Sequence, residues 1–276
     1  MQLPEKEPDL SRFNSLIESI KAKKDKIVKI AIVGKYFGTG DYQLRDSYAA
    51  LFDALDHAAW DQSVKLETQW IDAEKIEKQG VEILGKPDGI IVPIGWGQRG
   101  AEGMIAAATY AREQKIPYFG LCYGMQLAVI AFARSVVGIS QANTYENDPD
   151  TSDPVIHLIP EQQKILEKRA YGGTMRLGGW EALVKKDTIA YELYGTENTS
   201  ERHRHRYEFN DDYAKRLEEK GLIISARSKQ EGLVEIIELD RAVHPFYIGT
   251  QGHPEYKSYP GKPHPLFVGF IKACKK

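Results

Sequence analysis

Cys122 lies between two glycines in Gly120-Leu121-Cys122-Tyr123-Gly124, after the apolar run Ile116-Pro117-Tyr118-Phe119 and before a helix-like stretch from Met125 to Val136. Glycines two positions to either side allow a sharp strand-to-helix turn that lifts the sulfur clear of a sheet and sets it at a helix N-terminus. The unpaired N–H groups of such a terminus favour a thiolate, so the spacing suits a nucleophile. A thiol that attacks a carbonyl also needs a base and donors for the oxyanion that forms. His253, in His253-Pro254-Glu255 after an apolar segment ending near Gln251, is the candidate base. The spacing directs the Glu255 carboxylate back to the imidazole, to fix its tautomer and stabilise the imidazolium. Elbow and His-Pro-Glu together indicate a Cys-His-Glu triad.

The glycine-rich segment Pro93-Ile94-Gly95-Trp96-Gly97-Gln98-Arg99-Gly100 follows another apolar run. It offers one oxyanion donor, the N–H of Ile94 or Gly95, and the N–H of Tyr123 offers the other. The competing use of such a cluster is a phosphate-binding loop, but the Gly-Lys-Ser/Thr ending of a P-loop is missing.

These residues need a frame. Ile27 to Val33 is a β-branched run of the kind buried on both faces of a sheet, and it ends at Gly34. Helical spacing over 44–59, strands over Lys65–Ile71 and Gly89–Pro93, a helix from Glu102 to Gln114 and the strand before Cys122 follow. Such alternation predicts an α/β fold, a doubly wound, mostly parallel sheet flanked by helices, with ligands at the carboxyl ends of its strands. Residues 139–163 are turn-rich and read as a surface excursion; Gly172 to Gly178 resumes as strand. Leu222–Arg227, Leu233–Leu239 and Phe246–Thr250 read as an antiparallel extension returning to the sheet. Residues 1–26 read as a linker and an outer helix, and 27–276 as the working domain.

Composition excludes several function classes. At 276 residues with 42% hydrophobic and 28% charged side chains, the chain can bury a large core. A net charge of -2 gives no general attraction for nucleic acid. No apolar stretch approaches the length of a membrane span or a leader, which points to a cytoplasmic protein without membrane contact. Two cysteines, Cys122 and Cys274, make no disulfide framework. The seven histidines lack metal-ligand spacing, so no metal is expected; His203 and His205 fall on one face of an extended segment and suit hydrogen bonding.

The chain resembles the class I, triad-type glutamine amidotransferase domain of the CTP synthase family over nearly its whole length. The resemblance rests on Ile32-Val33-Gly34-Lys35-Tyr36, the Gly95–Gly100 loop with Glu102-Gly103, the elbow through Gln126, Gly172 to Gly178, Glu201-Arg202-His203-Arg204-His205-Arg206-Tyr207-Glu208, and His253-Pro254-Glu255. It implies a flavodoxin-like fold and hydrolysis of L-glutamine through a γ-glutamyl thioester. Ammonia would then pass to an ATP- and UTP-dependent synthetase domain or subunit that forms CTP. Cys122 would be the nucleophile, His253 the acid and base, and Glu255 its orienter. Gln126 and Glu146 would hold the amide and α-amino ends of glutamine, and Arg206 its α-carboxylate. A guanidinium fork suits a carboxylate and Glu146 suits an ammonium. No cofactor is implied, but GTP is implied as an activator near Arg99 and Glu102. The other use of Arg202 to Arg206 is a solvated or nucleic-acid-facing patch, which the neighbouring Glu201 and Glu208 disfavour.

The pattern is departed from at several points. Ile94 replaces a glycine, and its β-branched side chain resists a positive φ, so a reshaped or inactive oxyanion loop is expected. Tyr123 replaces a leucine. Around Glu146, Thr144-Tyr145-Glu146-Asn147 stands where Ser-Thr-Glu-Phe is usual, and Gly252 stands in place of a bulky aromatic. No phosphate-binding motif for a synthetase is present, so the chain reads either as an excised domain or as a freestanding paralogue starting at Met1. Two other functions stay open: a catalytically quiet binding module, and a hydrolase of another γ-glutamyl amide.

Overall fold

The computed structural model describes residues 8–39, 42–159 and 175–275. Its first half alternates strands and helices: α1 (Ser11–Lys21), β1 (Ile27–Gly34), α2 (Ala49–Asp61), β2 (Lys65–Asp72), α3 (Ala73–Gln79), β3 (Gly89–Val92), α4 (Ala101–Glu113), β4 (Tyr118–Leu121) and α5 (Tyr123–Phe132). Two short strands follow, β5 (Ala142–Thr144) and β6 (Asp153–Leu158). The remainder contains β7 (Arg176–Val184), α6 (Ile189–Tyr194), β8 (Asn198–His205), β9 (Tyr207–Phe209), β10 (Leu222–Ser228), β11 (Val234–Leu239), β12 (Tyr247–Thr250) and α7 (Pro265–Cys274).

Nine strands form one sheet in the order β8-β7-β10-β11-β12-β4-β3-β1-β2. The run from β12 to β2 is parallel, and β11, β10, β7 and β8 continue it antiparallel. The α/β expectation and the antiparallel return therefore both hold. Strand β1 shows why the parallel part stays central. Ala31 and Val33 pack with Met104 and Met125 of α4 and α5, whereas Val28, Ile30 and Ile32 pack with Leu51, Phe52 and Leu55 of α2 and Phe267 and Phe270 of α7. Successive side chains point to opposite faces, so a strand covered on both faces must be apolar throughout.

The carboxyl ends of the parallel strands lie at one edge. There β1 runs into Lys35, β3 into Pro93, β4 into Cys122 and β12 into Gln251, which is where ligands of such sheets collect. Thr250 pairs with Leu121 in register, and Cys122 N–H donates to Thr250 O at 2.7 Å, so the His253 loop starts beside the elbow.

The reading of 139–163 as a surface excursion is corrected as far as Ile159; residues 160–163 lie outside the described residues, as do 172–174 of the next strand-like segment. Strands β5, β6 and β9 form a small second sheet, and Ala142, Val155 and Ile156 are fully buried in the same core as α5. Its apolar positions are too few and too interrupted by turn residues to show a period; contact with α5 orders them. Among the described residues, helix α1 buries none of its side chains, but Ser19 Oγ donates to Trp60 O at 2.8 Å and Arg12 to Gly261 O at 3.0 Å.

Candidate active site

The elbow is held by close approach of backbone. A Cβ on Gly124 would lie 1.9 Å from Val92 O, and one on Gly120 would lie 2.7 Å from Gly124 C, so both positions must lack a side chain for α5 to pack across β3 and β4. The unusual dihedrals fall on the cysteine itself: Cys122 has φ 54° and ψ −101°. A non-glycine residue held there stores backbone strain of about 1–3 kcal/mol, a cost typical of residues whose side chain must be aimed. Tyr123 opens α5, so its N–H has no acceptor within the helix.

Around the sulfur, Gln251 Nε2 lies 3.5 Å from Sγ, and Gln126 Nε2 donates to Gln251 Oε1 at 3.1 Å and to Tyr207 O at 2.9 Å. His253 is fully buried, its backbone N–H donates to Arg202 O at 2.8 Å, and its Nδ1–H donates to Glu255 Oε1 at 2.7 Å. That bond leaves Nε2 as the nitrogen facing away from the carboxylate, and Nε2 has no hydrogen-bond partner among the described residues. Burial works against charge on this imidazole. The carboxylate of Glu255, with Cys122 beside it, outweighs it and raises the pKa well above its ordinary value. An imidazolium beside sulfur is the arrangement in which cysteines react as thiolates.

The other sequence-predicted residues divide into two groups. Gln126, Glu146 and Arg206 line the cavity above Cys122 together with Gly95 and Tyr123. Burial raises the pKa of Glu146, while the Gly97 N–H, at 2.9 Å from Oε1, and the charges of Lys35 and Arg206 pull it down. Arg99 and Glu102 point elsewhere. Arg99 donates to Lys35 O at 2.7 Å and pairs with Glu74 at 3.2 Å, and Glu102 pairs with Arg134 at 2.7 Å. Ile94 does not adopt a positive φ; its side chain is buried in the same cluster as Cys122, and its carbonyl accepts the Tyr48 hydroxyl at 3.2 Å. The backbone conformation expected to conflict with a β-branched residue is thus not used. Gly252 has a different reason to be small, since a Cβ there would lie 2.7 Å from Glu201 Cβ.

Two features escaped sequence reasoning. Lys35 is 3% exposed at the end of β1, and its ammonium donates to Trp96 O at 2.9 Å and to Gly97 O. Burial pushes its pKa down to about 8 against the pull of Glu146. Behind His253 lies a buried network: Arg176 Nη1 lies 2.7 Å from Glu235 Oε1, 3.2 Å from His203 Nδ1 and 3.4 Å from His205 Nε2. His203 Nε2 lies 3.3 Å from Glu235 Oε2, and His205 Nδ1–H donates to Tyr207 O at 2.9 Å. Burial, the facing imidazole and Arg176 lower His203 to about 2, and burial with Arg176 lowers His205 to about 3. Two neutral imidazoles therefore stand near a charged one, which spares His253 like-charge repulsion. The alternation of Glu201, His203 and His205 with Arg202 and Arg204 was the available signal: the first three are buried and the arginines exposed. No cluster of three or more His, Cys, Asp or Glu able to hold a metal occurs among the described residues, and no helix among them is long and apolar enough to cross a membrane.

Comparison with known proteins places this geometry. A family model described as glutamine amidotransferase class-I matches residues 43–273. CTP synthase of Sulfurisphaera tokodaii is 48% identical over 99% of this chain and 50% of that protein, and CTP synthase of Thermococcus kodakarensis is 46% identical over 99% and 50%. The chain thus spans about half the length of the curated relatives it matches. The solved glutaminase domain of Trypanosoma brucei CTPS with bound acivicin superposes with a TM-score of 0.80 at 34% identity, covering 90% of this chain and 93% of that one. A sheet with its cysteine elbow at the carboxyl edge, matched nearly end to end by that domain, shows that the chain belongs to the class I glutamine amidotransferases, among the glutaminase domains of CTP synthases.

Proposed function

We propose that this chain hydrolyses L-glutamine to glutamate and ammonia, and that a synthetase domain or subunit uses the ammonia with ATP to convert UTP to CTP in the cytoplasm. The observation that carries the reading is the imidazole of His253, tied by Nδ1 to Glu255 at 2.7 Å and charge-coupled to Cys122, whose sulfur lines one cavity with Glu146 and Arg206. Glu146 receives the α-ammonium of glutamine, Arg206 its α-carboxylate, and Gln126 helps orient the side chain. The sulfur attacks the γ-carbon, and the N–H groups of Tyr123 and of Ile94 or Gly95 receive the oxyanion. His253 gives its Nε2 proton to the departing nitrogen, the C–N bond breaks, and ammonia leaves a γ-glutamyl thioester. Neutral His253 then takes a proton from water as the water attacks the thioester. Carbon–sulfur cleavage frees glutamate and returns the thiolate–imidazolium pair.

GTP acts as an activator through the segment holding Arg99 and Glu102, whose ion pairs with Glu74 and Arg134 must rearrange to meet a nucleotide. Ammonia release from glutamine, followed with and without GTP, tests the reading: turnover is expected in the unaltered chain and its loss in Cys122→Ala. Equal turnover in both proteins overturns it. One observation favours a quiet module instead: the cavity over the sulfur has a volume of about 20 Å³, room for one water. Absence of turnover under every condition would support that alternative.

A further inference from the structure

Two buried side chains beside the nucleophile, Tyr123 and Asn147, touch each other. The Tyr123 hydroxyl lies 2.8 Å from Oδ1 of Asn147 and 2.9 Å from Gly97 O. A phenol carries one proton. It donates that proton to the Gly97 carbonyl, and the Asn147 amide, turned end for end, offers an N–H to the phenol oxygen, so both contacts of the hydroxyl are hydrogen bonds. Both side chains are buried, at 1% and 9% exposure. A buried polar bridge is directional and costly to leave half made.

The same peptide is held by further groups. Lys35 donates to Trp96 O at 2.9 Å and to Gly97 O, and its ammonium lies 4.5 Å from the centre of the Tyr123 ring. Gly97 N–H donates to Glu146 Oε1 at 2.9 Å. Three segments distant in sequence, the end of β1, the start of α5 and the turn carrying Glu146, converge on one glycine peptide directly over a cavity of about 20 Å³. Trp96, on the same loop, lies under the Arg204 guanidinium at 5.1 Å and lines that cavity.

We infer that Tyr123, with Asn147 and Lys35, is a positioning latch that holds the Trp96-Gly97 peptide closed over Cys122, sets access to the sulfur and keeps the loop donors in place for the reaction. Glutamine enters only when the latch opens, and its ammonium then takes the Glu146 oxygen that Gly97 N–H occupies in the closed form. Tyr123 touches neither the reacting carbon nor the sulfur through its hydroxyl; it acts through the loop.

The test is Tyr123→Phe, which keeps the buried ring and removes only the hydroxyl. Alkylation of Cys122 by iodoacetamide, read peptide by peptide by mass spectrometry, is expected to be about tenfold faster than in the unaltered chain, the weight of one buried neutral hydrogen bond. The buried Cys274 is the internal control: its alkylation rate stays unchanged if the latch alone has opened, and rises in parallel if the whole fold has loosened. In turnover, an arm that rests on the glutaminase reading, kcat falls about tenfold while KM does not rise, because opening becomes easier and loop placement poorer. The pair Tyr123→Leu and Asn147→Phe is expected to recover kcat that either single change loses. An unchanged Cys122 rate in Tyr123→Phe, or Cys122 and Cys274 rates rising together, overturns the latch. The alkylation arm decides this even in a chain that does not turn over glutamine, where the glutaminase reading alone would fail.

Discussion

Glutamine hydrolysis is expected to fall by a factor on the order of 10³–10⁴ when His253 is replaced by glutamine, with KM changed far less. In the proposed reaction the imidazole carries the proton that the leaving nitrogen receives. Its ring is oriented by the 2.7 Å bond from Nδ1–H to Glu255, while the backbone N–H of His253 anchors the loop to Arg202 O at 2.8 Å. Glutamine at 253 keeps approximate bulk but cannot shuttle the proton. Glu255→Gln separates orientation from charge: the amide oxygen still accepts Nδ1–H, but the negative charge that helps raise the imidazole pKa is gone. An imidazolium is present below its pKa and lost above it. The variant therefore loses its imidazolium at a lower pH than the unaltered chain, a shift toward acid that titration of the His253 ring resonances measures directly. A shift toward alkali would contradict the electrostatic account.

Arg176→Met is expected to cost about 3–5 kcal/mol of folding stability, the usual effect of removing one partner from a buried ion pair. Arg176 is 4% exposed and sits between Glu235, Glu231, His203 and His205, with Trp180 over its guanidinium at 4.4 Å. Burial already pushes the Glu235 pKa up to about 7 despite Arg176 beside it. A carboxyl whose folded pKa lies above its unfolded value contributes stability that is fully present below the unfolded pKa and is lost as pH rises through the folded one. Without the guanidinium that window moves further toward alkali, so the loss should be larger at pH 8 than at pH 6. Urea unfolding at the two pH values checks both sign and size, and Glu235→Gln added to Arg176→Met should restore part of the difference at pH 8. Equal losses at the two pH values would mean that the guanidinium acts by packing alone.

Much of this site was legible because its parts are local. The elbow needs only five consecutive residues, and His253-Pro254-Glu255 only three, so type and spacing disclose both. The parallel strands were legible for the same reason, since Ile27 to Val33 must be apolar on both faces. The reading failed where order comes from distant contacts. Arg176, His203, His205 and Glu235 lie on β7, β8 and β11; alternation puts the two histidines on one face, but no spacing signals that Arg176 and Glu235 meet them. Lys35 stood within a recognised motif, but nothing local says that a lysine there is buried with its ammonium on two carbonyls. The small sheet of β5, β6 and β9 joins segments about fifty residues apart through the Tyr207↔Leu158 pairing, and its strands are too short to show alternation. At Ile94 the backbone avoids a positive φ, as local reasoning expects of a β-branched residue.

The central claim is that the sulfur of Cys122 becomes acylated by the side-chain carbonyl of glutamine. Rapid acid quenching of the chain during reaction with L-glutamine, followed by mass spectrometry of its peptides, tests it most directly. The expected result is one γ-glutamyl group on the peptide containing Cys122, absent in Cys122→Ala and depleted in His253→Gln. Turnover with no adduct at Cys122, or with the adduct on another residue, would contradict it.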